Sequence, residues 1–112
     1  SITASFGSND VAGICGHDSN PNILYYGESS KRKIRKVVVG GQMTVIAGQN
    51  DQQAYTDGLS GKFYEIRDIA CGPSYLYVAD GQKVRKVDPS NGEITTLEDL
   101  GNRLGGGSSD IV

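Results

Sequence analysis

The sequence predicts an all-β fold made of two four-stranded antiparallel units. Three observations predict it. Short apolar runs alternate with turn-forming Gly, Asn and Asp. The set of runs repeats after about 50 residues, a period that suits a four-stranded sheet unit. No segment sustains a helical hydrophobic period.

The elements can be placed in order. The first unit holds Val11–Cys15, Ile23–Tyr26, Lys33–Val39 and Met43–Ala47. The second holds Ile66–Cys71, Tyr75–Ala79, Lys83–Val87 and Glu93–Leu97. Leu24-Tyr25-Tyr26-Gly27-Glu28 matches Leu76-Tyr77-Val78-Ala79-Asp80, and Ile34-Arg35-Lys36-Val37 matches Val84-Arg85-Lys86-Val87. The offsets are 55, 52, 50 and 51 (Ile14/Ile69, Leu24/Leu76, Ile34/Val84, Gly41/Gly92). Each change of offset falls between runs, because loops tolerate length changes and strands do not. Gly40-Gly41, Asp80-Gly81 and Asn91-Gly92 separate the runs, the last two as hairpin signals. Ile34 and Val37, like Val84 and Val87, are three apart, which breaks strict alternation. A bulge or strand end at Lys36 and Lys86 would restore it.

The expected organisation is a single β domain. A first unit spans 6–48, a polar connector 49–65, a second unit 66–100 and a Gly/Ser-rich tail 101–112. Four-stranded units at this period read as blades of a β-propeller in an incomplete ring. A blade needs a neighbour on each sheet face, so two blades leave two faces open. The chain is expected to self-associate, to meet a protein partner, or to be part of a longer protein.

Composition excludes several classes. Lys+Arg number 11 against Asp+Glu 13, so the molecule lacks the overall basicity that drives nucleic-acid binding. There is no apolar stretch near the roughly 20 residues that span a bilayer. Two cysteines are too few for a disulfide scaffold.

The second unit resembles the NHL repeat. It carries, in that family's order, Asp57-Gly58, Phe63, Ile69-Ala70, Leu76-Tyr77-Val78-Ala79-Asp80, Val84-Arg85-Lys86-Val87-Asp88 and Gly92. The first unit departs from the pattern: Tyr26-Gly27-Glu28 replaces Val-Ala-Asp, Val38 stands for the Asp, and no Asp-Gly precedes Phe6. The resemblance covers residues 6–100 and implies about a third of a six-bladed or similar ring. It also implies three kinds of use: a scaffold or protein-binding surface, RNA binding on a basic face, or a propeller hydrolase or lyase built around a central metal.

The residues decide among these uses only in part. Lys31, Arg32, Lys33, Arg35 and Lys36 are five basic residues in a run of six, a candidate interaction site for polyanions or nucleic acid. Strand alternation sends successive residues to opposite faces, and no aromatics interleave for base stacking, so a solvated strand is favoured. Cys15 aligns with Ala70, one residue before Cys71. That shift puts the two thiols on opposite faces of their strands and argues against a disulfide, although a bulge would restore one. His17 is the only His, no CxxC is present, and no metal or cofactor is expected. Asp57, Asp80 and Asp88 read as turn carboxylates. Tyr25, Tyr26, Tyr75 and Tyr77 concentrate near the second strand of each unit and read as core. The expectation is a non-enzymatic interaction or scaffold module, extracellular or on a cell surface.

Overall fold

The computed structural model describes residues 11–49 and 53–100. Phe6, connector residues 50–52 and the tail 101–112 lie outside them. Eight strands follow one another: β1 Val11–Gly16, β2 Ile23–Glu28, β3 Lys33–Val38, β4 Met43–Ala47, β5 Ile66–Cys71, β6 Leu76–Asp80, β7 Lys83–Val87 and β8 Ile94–Asp99. They form two four-stranded antiparallel sheets, each in sequence order. Among the described residues no helix is long and apolar enough to cross a membrane.

The central pairs β2–β3 and β6–β7 run without a register shift. Each outer strand carries one: β1 between Val11 and Ile14, and β5 between Ile66 and Asp68. On the other side, the β3–β4 ladder skips Ile46 and the β7–β8 ladder skips Leu97. Bulges at outer strands twist a sheet and blunt its exposed edge. The bulges expected at Lys36 and Lys86 therefore lie elsewhere. Ile34 and Val37 simply serve opposite faces, and both are buried.

Residues paired across strands share a face. One face of the first sheet presents Cys15, Tyr25, Gly27 and Ile34. It packs on the second sheet's face of Ile66, Ile69, Leu76, Val78 and Val87, and together these form one core. Burying each such aliphatic side chain is worth about 1.5–3 kcal/mol. The sheets meet closely at Gly27, where an added Cβ would lie 2.7 Å from Ile66 Cγ2. The connector joins this core. Phe63 is fully buried, and Gly58 exchanges two backbone hydrogen bonds with Ile94.

Both outer faces keep exposed apolar groups: Ile14 (58%) and Val45 (42%) flank Tyr26 on the first sheet, and Tyr77 (37%) lies on the second. Strand β2 is covered on both sides, with Tyr25 4% and Tyr26 1% exposed. Strand β6 is covered on one: Leu76, Val78 and Asp80 are buried, whereas Tyr77 and Ala79 are exposed.

Candidate interaction surface

A buried polar network holds the covered face of the second sheet. Arg85 Nη1 donates to Asp80 Oδ2 at 2.7 Å, and neither side chain is exposed. Asp80 also accepts the backbone amides of Tyr64 and Glu65. Arg85 Nη2 donates to the Thr56 carbonyl and to Asp57 Oδ1. Asp57 in turn accepts the Thr96 hydroxyl at 2.8 Å. Burial pushes the Asp57 carboxyl up, but the bonds from Thr96 and the Arg85 charge outweigh it and hold it below the usual range. Asp80 thus sits in a strand and ties the connector to the sheet, a different role from the expected turn carboxylate. Asp88 does serve its turn: it accepts the Ser90 amide and hydroxyl, which lower its pKa.

The basic run is dispersed. Arg35 Nε donates to Glu28 Oε1 at 2.6 Å. Arg32, at φ 54° in the β2–β3 loop, donates to the Tyr64 carbonyl. Lys36 pairs with Tyr25 on the face turned toward the second sheet, while Lys33 pairs with Glu28 on the other face. Lys31 lies in the loop between the strands. The structure thus spreads the five basic residues over two faces and a loop.

Cys15 and Cys71 are bonded, with Cα atoms 5.7 Å apart. The sequence expectation ran the other way, and stacking explains the difference. Cys15 pairs with Tyr25, as Ala70 pairs with Tyr77, so Cys15 and Ala70 are equivalent. When equivalent sheets stack face to face, one offers its front and the other its back. Cysteines of opposite parity are then the ones that meet.

His17 Nδ1 accepts the amides of Ser19 and Asn20, which leaves the proton on Nε2, and its ring stacks on Tyr25. Among the described residues no group of three or more His, Cys, Asp or Glu gathers to hold a metal ion. The tyrosines divide: Tyr25 and Tyr26 are buried, Tyr75 lies under Lys86 Nζ at 4.3 Å, and Tyr77 is 37% exposed.

Tyr77 belongs to the open face of the second sheet. Asp68, Ala70, Tyr77, Ala79 and Val84 line a concavity there of about 230 Å³. Sequence reading passed over this face because Tyr77 and Val84 look like core. Their matches Tyr25 and Ile34 are core, and only the end position of this sheet in the described stack exposes the second copy. The signal available in the sequence was the exchange of Gly13 for Asp68 in the repeat alignment. In comparisons with known proteins, no family model matches the chain and no curated protein is significantly similar to it.

Proposed function

We propose that the chain is a non-enzymatic protein-interaction module, a pair of stacked blade-like sheets of NHL type that works as part of a scaffold or surface protein. One observation carries this reading: β6 is buried on one face and open on the other, with Tyr77 and Ala79 exposed beside Val84. Exposed apolar sheet surface of this kind marks an interaction site more often than a solvated one. The fully buried charges support the same reading, since Arg85 and Asp80 are spent on holding the connector. The disulfide favours an oxidising compartment, outside the cell or at its surface.

A photo-crosslinking amino acid at position 77 tests this. Incubated with extract of the source cells, it should give protein adducts that the same group at Leu59 does not give. Leu59 is exposed but lies in the connector. Equal adducts from both positions would overturn the reading.

A further inference from the structure

The repeat supplies both halves of the internal interface a second time. At that interface β5 of the second sheet meets β1 and β2 of the first. The strand pairings give each residue its equivalent in the other sheet. Tyr25 stands between Cys15 and Lys36, as Tyr77 stands between Ala70 and Lys86. Gly27 pairs with Ile34, as Ala79 pairs with Val84. The outer face of the second sheet thus repeats the inner face of the first. Likewise Val11 pairs with Glu28 as Ile66 pairs with Asp80, and Ile14 pairs with Tyr26 as Ile69 pairs with Val78. The outer face of the first sheet thus repeats the inner face of the second.

Exposure follows this equivalence. Ile69 is 6% exposed at the interface, and its equivalent Ile14 is 58% exposed. Ile66 is buried and Val11 exposed, and Tyr25 is buried while Tyr77 is exposed. Tyr26 is covered, but β1 is the equivalent of β5, the strand that makes the sheet contact, and its Val11 and Ile14 stand out. Volume is exchanged across the contact as well. Gly27 faces Ile66, and Gly13 faces Asp68. Their equivalents Ala79 and Asp68 would face Val11 and Gly13, each smaller than the residue it replaces. The match is looser than the internal one. An added Cβ at Gly13 also comes within 2.8 Å of the Ile69 nitrogen, so Asp68 in that place holds the sheets farther apart. Glu98 takes the place of the buried Ala47. The face covers only about 14 Å by 17 Å, roughly 240 Å², against the ~800 Å² per partner of a stable complex. The contact is therefore weak and forms at high concentration.

We infer that a second copy of the chain docks head to tail on the open face of the second sheet, presenting the outer face of its own first sheet. The incoming copy's Ile14 takes, over Ala79 and Val84, the place that Ile69 takes over Gly27. A symmetric pair of second-sheet faces would leave Ile14 and Val11 uncovered, whereas the head-to-tail contact covers both exposed faces. Such a contact leaves a free face at each end and can be repeated. This rests on the interaction-module reading and names the partner of its open face.

The test is complementation. Ile14→Lys spoils one face and Tyr77→Lys the other, and both residues are exposed in the single chain. In sedimentation equilibrium at rising concentration the unaltered chain should form dimers and larger species. Each variant alone should stay monomeric. An equal mixture of the two should give a dimer and nothing larger, because only one sound face remains on each. Gly16→Cys in one chain and Ala70→Cys in another keep the test open if a lysine variant fails to fold. They are the equivalents of Cys71 and Cys15, so oxidised glutathione should join them between chains, with the 16–70 bond identified by peptide mapping. An unaltered chain that stays monomeric, variants that associate alone, or a mixture that stays monomeric would overturn the inference. Adducts to other proteins at position 77 together with a monomeric chain would sink this inference alone and leave the interaction-module reading standing.

Discussion

Glu28 and Asp80 occupy the same place in the two sheets. Each ends the second strand of its sheet, and each accepts a hydrogen bond from the arginine of the third, Arg35 at 2.6 Å and Arg85 at 2.7 Å. The two pairs differ in setting. Asp80 and Arg85 are wholly buried and hold the connector, whereas Glu28 and Arg35 keep some contact with water.

That difference sets the first prediction. Asp80→Ala leaves the buried Arg85 with only the half-exposed Asp57 as counter-charge and frees the Tyr64 and Glu65 amides. It should cost about 3–5 kcal/mol, the usual penalty for breaking a buried pair. Glu28→Ala should cost about 1–2 kcal/mol, as for a partly solvated charged hydrogen bond. Urea unfolding measures both. Equal losses would mean that the Asp80 network adds nothing beyond its ion pair.

The disulfide joins residues 56 apart in sequence and crosses the sheet interface. Closing a loop of that length restricts the unfolded chain by about 4 kcal/mol in the entropy model, and measured effects are commonly about 2–4 kcal/mol. Cys15→Ser with Cys71→Ser should lower stability by that amount while far-ultraviolet circular dichroism keeps its β signature. Loss of that signature would show that the sheets cannot stack without the bridge.

Acid should loosen the connector. The Asp57 carboxyl is held below its ordinary value, so it binds a proton more readily in the unfolded chain than in the folded one. Its contribution is then present above the unfolded pKa of about 4 and lost as pH falls through the lower folded value. Stability followed from pH 6 downward should fall below about pH 4, and Asp57→Asn should flatten that part of the curve. A variant with an unchanged slope would assign the acid sensitivity to other carboxylates.

Much of the fold was legible because strands and turns are local. Apolar runs, Asp80-Gly81 and the repeat offsets placed all eight strands to within two residues at each end. What escaped depends on how one sheet sits on another. The Cys15–Cys71 bond was misread because residue parity was judged within one sheet, when stacking brings opposite parities together. Asp80 was misread as a turn residue because its partners, the Tyr64 and Glu65 amides and Arg85, are distant or out of view in a local window. Tyr77 was misread as core because its match, Tyr25, is core.

A close approach of the sheets at Gly27 gives the last prediction. An added Cβ at Gly27 would lie 2.7 Å from Ile66 Cγ2 and 3.1 Å from the Ala12 carbonyl oxygen. The methyl group sits near the stiff stem of a β-branched side chain, so it cannot swing aside. Gly27→Ala should therefore cost about 1–3 kcal/mol through overpacking. Ile66→Ala, made alone, opens a cavity and should cost about 2–5 kcal/mol. Combined with Gly27→Ala the two should cost less than their sum, because the new methyl occupies part of that cavity. The double-mutant cycle reads this as a favourable coupling between contacting residues, of order 0.5–3 kcal/mol. At the equivalent position on the open face, Ala79→Gly has no neighbouring sheet to relieve, and only the greater backbone freedom of glycine should appear, about 0.5–1 kcal/mol. A coupling of zero between positions 27 and 66 would mean that the sheets are held farther apart than this interface requires.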